Sequence, residues 1–343
     1  MRIERGWWAV GAFTLVQFGF WMREYGPHLA FLTDYALRIL HGHPDWRAVQ
    51  SRLLAPFILI YGFGWLPAPL ATFTLVFIAL CNALFYLVVR EIVGGAAALL
   101  WLVVYIALWL LLFCKLSYCF DLIEMSVLVC FFRQAMPKFD ARDCVFDRNV
   151  VYLFLIQLLN RESALFLAAY LGFSGALRLV WNQGRSLGWR EIGAGVALFV
   201  VGASVIEFLR KTLFLIGPMA RGGLDLRHRN FENFIIYHKN LVFFGVDLHR
   251  GWSAAKGPIS LVVLVALHLL LLGLGLMRRN AKLAAYGAAM SLYSIAIFFT
   301  AELLEPRVMQ ILVPSSVLAI AWLVAKGRSM PEIGIEIPRG NPS

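Results

Sequence analysis

Charged side chains are scarce in this sequence. Asp, Glu, Lys and Arg together make up 15% of its 343 residues, whereas a soluble globular domain carries about 25%. Hydrophobic residues account for 61% of the chain. This balance excludes an ordinary soluble domain and indicates a protein that lies mostly within a membrane.

Cysteine is also rare, and the cysteines do not have the spacing of a redox motif or a metal site. The five cysteines form no CxxC motif and no pair at metal-ligand spacing, and four of the five lie in apolar runs. Cysteine in such a run usually behaves as a small hydrophobic residue. The pattern therefore predicts neither a disulfide framework nor a zinc site.

Acidic residues are few, so the chain has a net charge of +11. Much of this positive charge lies in short loops between apolar runs, where Lys and Arg set the orientation of a membrane protein. The excess therefore does not indicate nucleic-acid binding, and we expect no nucleic-acid partner.

Long apolar runs are the dominant feature of the sequence. Most are about 17–25 residues long, the length that crosses a hydrocarbon core of about 30 Å. The first run shows no small-residue cleavage site and predicts a retained span rather than a signal peptide. Eleven runs are visible, at 7–22, 53–65, 70–89, 96–114, 117–135, 146–159, 163–181, 191–209, 258–277, 283–301 and 307–325.

The basic residues place both termini on the cytoplasmic side, which requires an even number of crossings. The run 53–65 has 13 residues, and a helix of that length rises only about 20 Å. We therefore expect an all-α polytopic protein with about ten crossings and one short re-entrant or interfacial helix. The alternative, in which 53–65 spans and another run does not, stays open. Three loops are predicted to be cytoplasmic: 136–148, 182–189 and 278–282.

This topology predicts one integral membrane domain over residues 1–326. The outer loops 23–51 and 211–257 form its extracytoplasmic cap, and 327–343, rich in Pro and Gly, form a disordered cytoplasmic tail.

The outer loop 23–51 is the most polar stretch in the first third of the chain. Asp34 lies there in an amphipathic segment suited to a helix on the membrane surface. It is either a catalytic carboxylate at the membrane boundary, or a helix cap that pairs with Arg38 four residues later. The His41, His43 and Asp45 group has side chains that several metals accept, but it also fits a turn built on glycine and proline.

Further charges fall on the same predicted outer face. Asp121 and Glu124 share one side of a helix, because they are three residues apart. The Arg161–Glu162 and Glu305–Arg307 pairs interrupt or precede apolar runs, and each also fits a plain outer turn or a structural salt bridge. Midplane charges and repeats, which mark transporters, are lacking apart from the lone His268. Acids and bases at one interface suit an enzyme that acts on a lipid head group.

Short motifs follow one another in a characteristic order. Asp34-Tyr35 precedes the segment Gln50–Pro56 (QSRLLAP), and Tyr118–Asp121 opens a later run. An Asn-Arg-Glu-Ser turn occupies 160–163, and Glu305-Pro306-Arg307 follows. This order resembles the GT-C membrane glycosyltransferases, especially the small bacterial multi-span members, although the large soluble C-terminal domain of the bigger members is missing.

The resemblance implies an inverting transferase in the bacterial inner membrane, with its active site on the extracytoplasmic face. It implies a polyprenyl-phosphate sugar donor and an envelope glycan, lipid or protein acceptor. From the residues we expect no cofactor besides this lipid-linked co-substrate, although the sequence leaves a divalent metal open. Asp34 is the implied general base, with Glu162 and Asp45 as further catalytic candidates. The implied substrate and lipid-phosphate binding residues are Arg52, Arg161, Arg307, Glu305, Asp121, Tyr35 and His43. A flippase or an assembly subunit that handles lipid-linked sugars is the alternative.

Overall fold

The computed structural model describes residues 5–42, 52–112, 119–136, 148–209, 211, 242–243, 246–247, 252–300 and 307–328. The predicted outer loop 211–257 and the predicted tail 327–343 therefore lie largely outside the described residues. His43, Asp45 and Glu305 also lie outside them, as does the side chain of Arg307.

The described chain is helical apart from two two-residue strands. Its helices are α1 (Arg5–Tyr25), α2 (Leu29–Leu40), α3 (Leu54–Phe57), α4 (Pro69–Val93), α5 (Gly95–Leu111), α6 (Cys119–Ala135), α7 (Arg148–Asn160), α8 (Ala164–Val180), α9 (Arg185–Phe208), α10 (Trp252–Met277), α11 (Ala281–Thr300), α12 (Arg307–Gln310) and α13 (Val313–Arg328). A 3₁₀ turn (Gly26–His28) joins α1 to α2. The strands β1 (Val242–Phe243) and β2 (Val246–Asp247) pair antiparallel.

Three helices in the described residues are long and apolar enough to cross a membrane: α4, α9 and the part of α10 from Ile259 to Met277. Four shorter helices are also apolar: Gly95–Leu111, Ala164–Val180, Ala281–Ile297 and Val313–Lys326. The prediction of an all-helical membrane protein is confirmed at this level.

The short run 53–65 forms a correspondingly short element. The four residues of α3 continue directly into a π-helical turn at Ile58–Gly62, and this length is far below the roughly 20 residues that span a bilayer. Helix α7 is described over 13 residues, Arg148–Asn160, and residues 137–147 before it lie outside the described residues.

The helices pack around α4 and α6. Helix α4 contacts α1, α5, α6 and α13, and α6 also contacts α7. A second group consists of α8 packed on α9 and α11, with α10 packed on α11. Two of these contacts are very close: a Cβ at Gly175 would collide with the backbone of α9, and one at Gly275 with the backbone of α11. Glycine at these two positions lets the helices approach.

Candidate functional site

Helix α6 carries two acidic side chains into the interior of the bundle. All residues from Asp121 to Val129 are buried, because α6 is surrounded by other helices. Asp121 and Glu124 lie three residues apart and so share one face of the helix. Since a buried carboxylate must be paired or hydrogen-bonded, these two side chains need partners from other elements.

Arg161 supplies the partner charge from the turn between α7 and α8. Its Nη1 lies 2.7 Å from Oε2 of Glu124 and 3.1 Å from Oδ1 of Asp121. The backbone N–H of Arg161 donates to the carbonyl of Gln157, so the turn begins as a continuation of α7. The guanidinium is thus held between two carboxylates of a helix that lies about 40 residues earlier in the chain.

The second oxygen of Glu124 is held from two further directions. Oε1 accepts a hydrogen bond from the Ser163 hydroxyl and another, of 2.5 Å, from the Tyr293 hydroxyl. The Ser163 oxygen in turn accepts from Nε2 of Gln157, at 2.7 Å. One carboxylate therefore links α6, the α7–α8 turn and α11.

A second arginine lies beside this group. Arg52 is buried, and the backbone N–H of Leu53 donates to the carbonyl of Leu159 at 2.9 Å, which fixes the segment before α3 to the end of α7. Burial lowers the pKa of Arg52, and the charge of Arg161 lowers it further, although Glu162 and the α6 carboxylates oppose this. Two like charges thus lie close enough to repel each other.

The pKa of Arg161 moves the other way. Burial alone would lower it, but the carboxylates, led by Glu124, outweigh burial and raise the pKa above its ordinary value. Arg161 therefore stays charged at any physiological pH. We call Arg52, Asp121, Glu124, Arg161, Glu162, Ser163 and Tyr293 the Arg161 cluster.

The residues of the Arg161 cluster are suited to binding an anion. Both ion pairs described for Arg161 use Nη1, which is one of the three nitrogens of its guanidinium. The planar fork of N–H donors in a guanidinium matches the oxygens of a phosphate or carboxylate. With Arg52 alongside, the cluster can bind an anion, whereas Glu124 already accepts three hydrogen bonds and has little capacity left to accept a proton.

Asp34 lies in a different environment. It pairs with Arg38, at 2.7 Å, on the exposed side of α2, and its neighbour Tyr35 is buried. The i,i+4 pair that the sequence offered as the alternative to a catalytic role is therefore present. Helix α2 packs on α3, which in turn packs on α6 and α7, so Asp34 is one helix removed from the Arg161 cluster.

The other residues that the sequence proposed for the site have no described position. His43, Asp45, Glu305 and the Arg307 side chain lie outside the described residues. In the part of the chain that is described, no three His, Cys, Asp or Glu side chains are grouped as metal ligands.

Sequence reasoning missed Tyr293 and Ser163 as members of this group. Tyr293 lies within an apolar helix and reaches Glu124 across 169 positions of sequence, so no local pattern could indicate it. Ser163 was visible only as the last residue of the Asn-Arg-Glu-Ser turn. Glu124 had a signal, its three-residue spacing from Asp121, but was not chosen for the site.

Comparison of the chain with protein-family models, curated proteins and solved structures found no match.

Proposed function

We propose that this protein is an inverting GT-C-type glycosyltransferase that moves a sugar from a polyprenyl-phosphate donor to an envelope glycan, lipid or protein acceptor. The observation that carries the proposal is a pair of neighbouring arginines, the buried Arg52 before α3 and the largely buried Arg161 in the α7–α8 turn. A guanidinium pair of this kind suits a phosphate that must sit at head-group depth while its isoprenoid tail stays in the lipid.

Within this proposal the two arginines hold the phosphate leaving group. Asp121 and Glu124 hold Arg161 through Nη1, and in this proposal the remaining N–H groups of its guanidinium bind the donor. Arg52 adds a second positive charge. The repulsion between the arginines falls when a phosphate lies between them, so donor binding reduces an unfavourable interaction.

Asp34 is the proposed general base. Its carboxylate is exposed and so can meet an acceptor hydroxyl, which Glu124, enclosed by three donors, cannot do. Glu162, half-buried beside both arginines, is the second choice. A base removes the acceptor proton as the hydroxyl attacks the anomeric carbon and the lipid phosphate leaves, which inverts that carbon.

The proposed topology has about ten crossings of the bacterial inner membrane, with the Arg161 cluster outside. Support comes from two predicted cytoplasmic loops: Gln183, in the α8–α9 loop, donates to the carbonyl of Arg279, in the α10–α11 loop. Helix α8 runs from the cluster at Ser163 to the first of these loops, and α11 runs from the second back to Tyr293. The cluster and the loops therefore lie toward opposite ends of the same helices.

The test is a comparison of the intact masses of lipids and glycans from cells with and without the protein. We expect one glycoconjugate to lose the mass of a sugar when the protein is absent, and to regain it with the wild-type chain but not with Asp34→Asn. Identical glycoconjugates in both cell types would overturn the proposal. Full rescue by Asp34→Asn and also by Glu162→Gln would favour the flippase or assembly subunit, which needs no general base.

A further inference from the structure

The end of the bundle opposite the Arg161 cluster is strongly basic. Two stretches meet there, 178–191 around the α8–α9 loop and 278–282 around the α10–α11 loop, joined by the 2.7 Å hydrogen bond from Gln183 to the Arg279 carbonyl. They contain six Lys and Arg residues and a single acid, Glu191. The two loops therefore present one continuous surface with a large excess of positive charge.

The single acid does not offset the exposed cations. Glu191 is buried and accepts a hydrogen bond from the buried Arg178 at 2.9 Å, which neutralises both. Arg185, Arg278 and Arg279 are exposed. Arg185 reaches the amide oxygen of Asn182, a neutral partner that leaves its charge in place.

Large apolar side chains lie exposed beside these arginines. Val180 is 73% exposed, Trp189 65% and Met277 74%. Along α9 the exposed apolar face continues from Trp189 through Val196 and Val200, and α9 is one of the helices long and apolar enough to span a membrane. The arginines thus stand at the end of a surface that is suited to acyl chains.

We propose that Arg185, Arg278 and Arg279, with Val180, Trp189 and Met277, form a binding site for the head group of an anionic phospholipid. We call these six residues the basic face. The guanidinia contact the lipid phosphate and the apolar side chains contact the upper part of the acyl chains, with Trp189 at head-group depth. The proposal rests on the placement of the chain in a membrane and not on the transferase activity.

A lipid fits this face better than an acidic soluble protein does. The apolar part of the basic face merges with the outward face of α9, which a soluble partner would have to cover in competition with the bilayer. A phospholipid matches both parts, because its charge and its chains are arranged in the same order as the arginines and the apolar residues.

The experiment uses the full-length protein in detergent and counts bound lipids by native mass spectrometry, with phosphatidylglycerol or phosphatidylcholine added at matched concentrations. Wild type should retain phosphatidylglycerol at a concentration about tenfold lower than phosphatidylcholine. The preference for phosphatidylglycerol should disappear in the double variant Arg278→Gln/Arg279→Gln. The loop contact survives these changes, because Gln183 binds the backbone carbonyl of Arg279.

The matched control is Arg38→Gln/Lys211→Gln, which removes the same charge from exposed residues outside the basic face. This control should keep the preference for phosphatidylglycerol. An equal loss of this preference in the control would show that it depends only on the net charge of the protein, and would overturn the proposal. No preference in wild type would also overturn it and would leave the basic face to an acidic protein partner.

Discussion

Two carboxylate–arginine pairs in this protein have the same N···O distance, but one is exposed to solvent and the other is largely buried. Asp34 and Arg38 approach to 2.7 Å with side chains that are 54% and 47% exposed. Glu124 and Arg161 also approach to 2.7 Å, but their side chains are 0% and 14% exposed. Distance alone therefore does not say what an ion pair does.

Burial determines how much each of the two pairs contributes to stability. An exposed i,i+4 pair contributes about 0.3–0.5 kcal/mol, because water screens the charges. Removing one partner of a buried pair costs about 3–5 kcal/mol, because the other charge is left without compensation. Loss of the Asp34 pair should therefore cost the fold little, whereas loss of the Glu124 pair should cost it several kcal/mol.

The largest expected effect is on the activity of Asp34→Asn. The substitution keeps the shape of the side chain and removes the proposed base, and general-base assistance is worth about 10²–10⁴-fold in rate. Turnover should fall by about that factor in the purified protein, measured with the donor that the mass comparison identifies. The melting temperature should stay within a few degrees of wild type. Transfer at the normal rate would move the base to Glu162.

Glu124→Gln should cause the largest loss of stability. The amide removes the charge that faces Arg161, so the free energy of unfolding should fall by about 3–5 kcal/mol, measured as thermal unfolding in detergent.

The control for this prediction is Glu91→Gln. Glu91 pairs with Arg133 at 2.8 Å, but both side chains are about half exposed, so the loss should stay below about 1 kcal/mol. Equal melting temperatures for Glu124→Gln and Glu91→Gln would show that burial does not separate the two kinds of pair.

Tyr293→Phe should have an intermediate effect. It removes one hydrogen bond to a charged group, and such a bond contributes about 1.5–3 kcal/mol. Ser163 and Arg161 still hold Glu124, so the cluster should persist. The measurement is thermal unfolding of this variant beside Tyr61→Phe, which changes an exposed tyrosine. Identical stability of the two variants would mean that the Tyr293 bond contributes nothing.

Arg38→Gln should have the smallest effect. Loss of the exposed pair should lower the free energy of unfolding by about 0.3–0.5 kcal/mol, a change of a degree or two in melting temperature. A loss of several kcal/mol would show that Asp34 and Arg38 belong to a buried network, contrary to their exposure.

Much of the helical framework was readable from the sequence, because apolar runs of defined length are local. The shortness of the 53–65 element followed from counting residues, and the shared face of Asp121 and Glu124 followed from helical spacing. Counting residues did not fix the number of crossings, because the run 146–159 is only one residue longer than the run 53–65 that was set aside.

The site could be predicted only in part. Arg161 and Asp121 stood out because charges are rare in this chain. Tyr293 did not, since its partner Glu124 lies on a distant helix and the pairing depends on how α11 packs on α6. The exposure of Asp34 was equally hidden, because an amphipathic pattern does not reveal what covers a helix.

The central claim is that Arg161 binds the phosphate of a lipid carrier. The most direct test is the affinity of the purified protein for polyprenyl phosphate alone, compared among wild type, Arg161→Lys and Arg133→Lys. Lysine keeps the charge and loses the planar fork, so Arg161→Lys should bind about tenfold more weakly or worse, while Arg133→Lys should bind as wild type does. Equal affinity in all three folded proteins would contradict the account.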